Sequence, residues 1–165
     1  MSFHSSLFTV YVLLLTIMTN SFVNKKAWFN YEMIETFEAG IALLGNEVKS
    51  IRGGKLNITE AFIRIKDGEA TIHNMEIQAY EKVNTFQLIS PTRTRKLLLK
   101  KNEINKLVGK INEKGLTLVA LKVYFKRQYV KLELGLGKGK KMGDKRETTK
   151  LREIDREISR AFKYR

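Results

Sequence analysis

The sequence predicts a mainly β domain with flanking helices. Two hairpin signals, one well-patterned amphipathic helix and glycine-marked bends carry that expectation. Short strands in this arrangement favour a small antiparallel β-barrel of the oligonucleotide-binding (OB) type, with a split α+β sheet as the second choice.

The first hairpin lies in residues 61–77. Ile63 and Ile65 alternate with Arg64 and Lys66, Asp67-Gly68 supplies a type I′ turn, and Ala70 and Ile72 resume the alternation. His73 falls in this second strand, where a lone histidine is structural. The second hairpin covers 116–125 and 129–136 across Lys126-Arg127-Gln128, with Val130, Leu132, Leu134 and Leu136 alternating with Lys131, Glu133 and Gly135. The helix spans 102–114. Ile104, Leu107, Val108 and Ile111 fall at i, i+3, i+4 and i+7, and Gly115 stands at C′. Residues 33–44 read as two strand-like pieces with Glu38-Ala39-Gly40 between them, Gly40 allowing a bulge or bend. Residues 45–55 read as one or two helical turns closed by Gly53-Gly54, and 80–92, with the only proline, as a loop.

The chain of 165 residues suits one domain with a real core. Residues 24–136 form that body. Residues 1–23 stand apart: 7–18 are an apolar run, shorter than the roughly 17–25 residues a bilayer span needs. No Lys or Arg precedes the run and no small-x-small cleavage site follows, so a start of translation at Met18 is favoured over a targeting leader.

A net charge of +14 calls for a polyanionic partner, nucleic acid or an anionic membrane face. The absence of Cys excludes disulfides, Cys-based zinc sites and a Cys nucleophile, and is compatible with a reducing compartment. Only His4 and His73 are available to a histidine metal site. No GxxxxGK[ST], GxSxG or HExxH is present. Glu32, Glu35 and Glu38 recur every third residue, but on a strand such residues point to opposite faces. A solvated strand edge is therefore expected for Glu32 and Glu35, not a catalytic pair.

The basic residues say more. Thr92-Arg93-Thr94-Arg95-Lys96 is rich in donors to phosphate. With Lys25, Lys26, Lys49, Arg52 and Lys55, and with Trp28, Phe29 and Tyr80, it fits an RNA surface mixing phosphate contacts with base stacking. Core packing is the competing reading for Trp28 and Phe29.

Residues 137–165 form a basic tail. Gly137, Gly139 and Gly143 make its start flexible, with Lys138, Lys140 and Lys141 as charges. Asp144-x-x-Glu147 has capping-box spacing with Asp144 as N-cap. Leu151, Ile154, Ile158 and Phe162 then make a narrow apolar seam, while Arg152, Arg156 and Arg160 run along another face. Such a helix is marginal alone and firms up on an anionic surface.

Four blocks in order, FEAGIALLGNEVKSIRGGKLNI (37–58), PTRTRKLLL (91–99), EINKLVGKINEKGLTLVALKVYFK (103–126) and GKGKKMGDKRE (137–147), strongly resemble the SsrA-binding protein family, also called small protein B. The resemblance covers everything but the leader. It implies an OB-type barrel that grips the tRNA-like domain of transfer-messenger RNA (tmRNA). It implies a tail that folds as a helix in the decoding centre and mRNA channel of a stalled ribosome, for trans-translation and ribosome rescue. Elongation factor Tu and alanyl-tRNA synthetase would be met indirectly through the RNA. No cofactor and no enzyme activity are implied. The location implied is the cytoplasm, or an organelle if the leader is a genuine targeting segment.

Asn24, Glu38 and Leu98 stand where the family has RNA-contacting or RNA-supporting positions, and Asp144-Lys145-Arg146 match its tail motif. Two departures stand out. Trp28-Phe29 replace a pair that is commonly Arg-His, and Gly143 replaces a His or Tyr whose ring is worth about 1–3 kcal/mol of base stacking. The alternative from another class is a membrane-associated basic protein, with the leader inserted and the tail on anionic lipid.

Overall fold

The computed structural model describes residues 21–79, 90–112 and 115–141, and beyond them positions 143, 144, 149, 153, 154, 157, 158, 160 and 161. The described elements are, in order, β1 (Phe22–Val23), α1 (Lys25–Asn30), β2 (Tyr31–Ile41), α2 (Gly45–Arg52), β3 (Leu56–Asn57), β4 (Phe62–Lys66), β5 (Glu69–His73), β6 (Glu76–Ile77), β7 (Arg95–Leu98), α3 (Lys101–Ile111), β8 (Leu116–Lys126) and β9 (Tyr129–Gly139). The leader through residue 20, most of the predicted 80–92 loop, and residues 113 and 114 at the end of the predicted helix lie outside the described residues.

Both hairpins form as their patterns dictate. Asp67 and Gly68 both take positive φ, at 51° and 74°, as a type I′ turn requires. β8 and β9 pair from Lys126↔Tyr129 down to Leu116↔Lys138. All pairings are antiparallel, and β8, β4, β5, β7, β2 and β9 close into a ring through the β8–β9 ladder. This is the OB-like barrel that the sequence predicts. Inward-facing residues of every strand fill it, among them Ile63, Ile72, Leu97, Leu132 and Leu134. α2 closes one end with Ile51 buried and Arg52 lying 5.7 Å from the Phe125 ring. α3 closes the other with Leu107 buried, Lys106 over the Phe37 ring, and Lys106 and Lys110 both paired to Glu35.

Three expectations need correction. Residues 33–44 hold one continuous strand, β2, whose irregularity lies between Met33 and Glu35 and not at Gly40. Glu35 is not a solvated edge residue, because it is clamped by two lysines of α3. β9 does not end at Leu136: Gly137, Lys138 and Gly139 continue the ladder opposite Met33, Glu32 and Tyr31.

The cause of that extension is steric and local. β2 and β8 each carry one extra residue, Ile34 and Leu121, so their registers shift. Met33 and Leu121 converge over Gly135, where a Cβ would lie 2.8 Å from both the Met33 sulfur and Leu121 Cδ1. Only glycine fits there. α1 covers this spot from outside, packing Ala27 on Val119 and Leu121.

The β8 bulge leaves carbonyls that the ladder cannot satisfy. Asn24 takes them. Its backbone N–H donates to Leu121 O at 2.7 Å and its Nδ2 to Ala120 O at 3.0 Å and Ile58 O at 2.9 Å. Its Oδ1 accepts from Ala27 N at 2.9 Å and so caps α1.

Asn24→Ala is therefore expected to destabilise the fold by about 2–4 kcal/mol, a lost cap of ~1 plus stranded buried carbonyls. Asn24→Asp keeps the cap but not the donors. Chemical denaturation that finds Asn24→Asp at wild-type stability would show the cap, and not the bulge, to be what Asn24 serves.

Candidate nucleic-acid interface

Register places the outward residues of four strands side by side. Tyr124 pairs with Lys131, Lys131 with Gly40 and Gly40 with Leu98, giving one row across β8, β9, β2 and β7. Lys122, Glu133 and Glu38 form the row beside it. Gly40 matters here because a Cβ would sit 3.2 Å from Leu98 Cβ, so its absence lets β7 press close.

Glu38 organises this face. Tyr124 OH donates to it at 2.5 Å, Lys126 Nζ at 3.0 Å, and Lys131 Nζ lies at 3.4 Å. The Tyr124 and Lys126 donors hold its carboxyl down to about 2, while burial and Glu38 together push Tyr124 up to about 12. At neutral pH the carboxylate is ionised and the phenol is a donor. The face thus mixes fixed charges with apolar surface: Leu98 is 57% and Tyr129 73% exposed. Leu98, Ile41, Leu43, Val48, Tyr129 and Lys131 line a shallow groove there. Sequence reading missed Tyr124, Lys126 and Lys131. Alternation marks them as outward, but only the β2–β9–β8 register brings them to Glu38.

The other sequence-predicted residues scatter. Asn24 is buried at the β8 bulge. Lys25, Lys26 and Trp28 are exposed on α1, Lys26 pairing with Glu60 at 2.6 Å, while Phe29 is half-buried. Lys49 and Arg52 are exposed on α2, and Lys55 is half-buried after it. Lys96 is exposed and paired with Glu69. Tyr80 lies outside the described residues.

Arg93 and Arg95 are not phosphate donors waiting at the surface. Arg95 is 1% exposed, and its guanidinium donates to Glu47 Oε1 at 2.9 Å, Met75 O at 2.6 Å, Arg93 O at 2.9 Å and Pro91 O at 2.9 Å. Arg93 donates to both oxygens of Glu47, at 2.9 and 2.5 Å. Burial by itself would raise the Glu47 carboxyl. Arg93, the Leu44 N–H and Arg95 outweigh it and hold the carboxyl below the usual range. The sequence motif is thus a buried ion-pair cluster that fixes β7.

In the tail, Lys138 is exposed on the end of β9. Lys140 donates its backbone N–H to Asn30 O at 2.8 Å and lies 3.4 Å from Trp28 O through Nζ. Asp144 is not the N-cap. It is helical, with Gly143, and accepts from Lys141 N–H at 3.1 Å, as a third-position carboxylate does. Ile154 and Ile158 are helical and about half exposed. Lys145, Arg146, Arg152 and Arg156 lie outside the described residues. Among the described residues no cluster of His, Cys, Asp and Glu could hold a metal, and no helix is long and apolar enough to cross a membrane.

Comparison with known proteins agrees with this architecture. A family model described as SmpB protein matches residues 21–164. The SsrA-binding protein of Synechocystis sp. is 54% identical over 140 residues, covering 85% of this chain and 91% of that protein. The SsrA-binding protein of Mesoplasma florum is 54% identical over 142 residues, covering 86% and 95%. A chain from a solved tmRNA-SmpB structure, described as a journey to the center of the bacterial ribosome, superposes with a TM-score of 0.62. It is 50% identical and covers 74% of this chain and 85% of that one.

Glu47→Gln should cost about 3–5 kcal/mol, because it leaves two partly or fully buried guanidinium groups without their counter-charge. The folded carboxyl titrates below its unfolded value of about 4.3, so its stabilisation is complete above that pH and is lost as the pH falls through the folded value. Denaturation midpoints followed from pH 7 to pH 3 should therefore fall less steeply in Glu47→Gln than in the wild type; parallel slopes would mean Glu47 contributes nothing to acid sensitivity.

Proposed function

This chain belongs to the SmpB protein family, and we propose that it is an RNA-binding adaptor that holds tmRNA and carries it to stalled ribosomes for trans-translation. The observation that carries this reading is the four-strand face around Glu38, a rigid surface joining cationic, hydroxyl, carboxylate and apolar groups. Folded RNA is recognised in that way, by shape, 2′-hydroxyls and splayed bases as well as by phosphate. Glu38 cannot attract phosphate, but it accepts from a base N–H or a 2′-hydroxyl.

The proposed contact set is narrower than the sequence alone suggests. Glu38, Leu98, Lys131 and Tyr129 touch RNA, with Lys96 and Lys122 at the rim. Asn24, Arg93 and Arg95 act as supports that hold α1 and β7. Lys25, Lys26, Lys49 and Arg52 add longer-range attraction. The tail, with Lys138, Lys140, Lys141, Asp144, Lys145, Arg146, Arg152 and Arg156, enters the decoding centre and mRNA channel. The protein performs no reaction of its own and acts in the cytoplasm, where ribosomes are. Elongation factor Tu and alanyl-tRNA synthetase meet it only through the RNA. The membrane-anchored alternative draws no support from the described residues.

Labelled tmRNA should be retarded by the full chain at two salt concentrations and against excess bulk tRNA. Retardation that vanishes with salt and competitor would reduce the interaction to phosphate attraction and overturn the reading. Lys131→Ala is expected to weaken the specific complex about tenfold, the loss of one charge-assisted contact.

The division between barrel and tail is tested by where the chain is cut. Ending it after Lys141 keeps the β9 ladder and the Lys140 bond to α1, so RNA binding should persist while activity on the ribosome is lost. Ending it after Leu136 removes three paired residues and should impair both. Equal loss of RNA binding in the two truncations would refute that division.

A further inference from the structure

We propose that the cleft between α1 and β4 is a receptor for a single unstacked pyrimidine base of RNA, with Phe62 as its stacking surface. The inference rests on the RNA-binding reading above but concerns a site away from the Glu38 face. The cleft is lined by Asn30 at the end of α1, Tyr31 at the start of β2, Thr59 and Glu60 before β4, Phe62 of β4 and Thr117 of β8. Its volume is about 160 Å³. A dry cavity of about 150 Å³ holds one benzene ring, so this half-open cleft has room for a single six-membered ring.

Phe62 is an unusual residue to leave out of the core. It is 39% exposed on a strand whose inward neighbours Ile63 and Ile65 do the packing. It is nevertheless held in place. Its ring stacks on His73, with centroids 5.0 Å apart and planes within 10°. His73 is fixed in turn by the hydroxyls of Thr71 at 3.1 Å and Thr94 at 3.2 Å. An exposed aromatic that is already oriented loses little entropy when a base stacks on it. The remaining walls include residues whose side chains carry hydrogen-bonding groups suited to a base edge, Asn30, Thr59 and Thr117. The one carboxylate, Glu60, is neutralised by Lys26 at 2.6 Å. Lys140, held on the Trp28 and Asn30 carbonyls, places the start of the basic tail next to this cleft. A strand following the tail would therefore pass its mouth.

The base could come from tmRNA itself or from ribosomal RNA, and two binding measurements with the full chain separate these. Phe62→Leu keeps an apolar side chain but has no ring to stack. It should weaken binding about tenfold, to free tmRNA if that RNA supplies the base, or to ribosomes only if ribosomal RNA does. Phe62→Tyr should restore binding in the affected arm. Wild-type affinity of Phe62→Leu in both arms, or equal loss in Phe62→Tyr, would overturn the proposal. Should Phe62→Leu unfold, Thr117→Phe fills the cleft from β8 and leaves the Phe62–His73 stack alone; unchanged binding there overturns it equally. Failure of the wild type to prefer tmRNA over bulk tRNA would sink the adaptor reading itself, whereas loss of the cleft effect alone would leave that reading standing.

Discussion

One buried carboxylate, Glu47, ties β7 into the barrel. β7 is a short stave of the ring: it is four residues long and meets β5 and β2 through two partner positions each. Backbone pairing that short does not hold a strand by itself. Arg95 supplies the rest by reaching four separate oxygens, on Glu47, Met75, Arg93 and Pro91. Burying a guanidinium and a carboxylate costs several kcal/mol per ion unless hydrogen bonds replace the lost water. Here they do, and Arg93 closes the carboxylate from its other side. Glu47 also accepts from Leu44 N–H at 2.8 Å, so the same group starts α2. The placement of Lys96 and Leu98 on the outer face follows from this cluster.

A second constraint acts at the opposite end. Extra residues in β2 and β8 would leave open carbonyls and a gap, and both are filled by neighbours that differ in kind. Gly135 makes room for Met33 and Leu121, and Asn24 satisfies the freed carbonyls. α1 is six residues long, too short to persist alone. It exists because its cap and its packing face are set by the bulge beneath it. The last carbonyls of α1 then hold Lys140, so the barrel fixes where the tail leaves.

Much of this was legible in the sequence where the signal is local. The two hairpins follow from period-two alternation and turn chemistry, and α3 from its apolar spacing. The four sequence blocks pointed to the family. What was not legible depends on partners far along the chain. Arg93 and Arg95 look like phosphate donors until Glu47, 46 and 48 residues away, is brought beside them. Lys131 and Tyr124 read as ordinary outward residues until register sets them on Glu38, 86 residues from Tyr124. α1 was hidden because its six residues are too few to show a repeating apolar spacing, and its cap Asn24 is fixed by a β8 carbonyl 96 residues away. β9 was cut short because Gly137 and Gly139 read as loosening residues, when both continue the ladder opposite Met33 and Tyr31.

Charge also divides the work in a way that its total conceals. The net +14 is spread over body and tail, with eleven Lys and Arg against five Asp and Glu in residues 137–165. Charges of one sign on a tail attract any polyanion, and the attraction fades beyond a Debye length of about 8 Å. Selectivity needs the opposite: groups that reject most of what charge attracts. In the RNA contact proposed above, that part falls to Glu38 on the four-strand face. Its carboxylate stays ionised and is held by Tyr124 and Lys126, and an RNA that presents a donor to its open lone pair would be favoured. An unpaired carboxylate there would weaken binding to every RNA. Paired with Lys126 and Lys131, it would in the proposed contact lower the affinity for wrong partners more than for a right one.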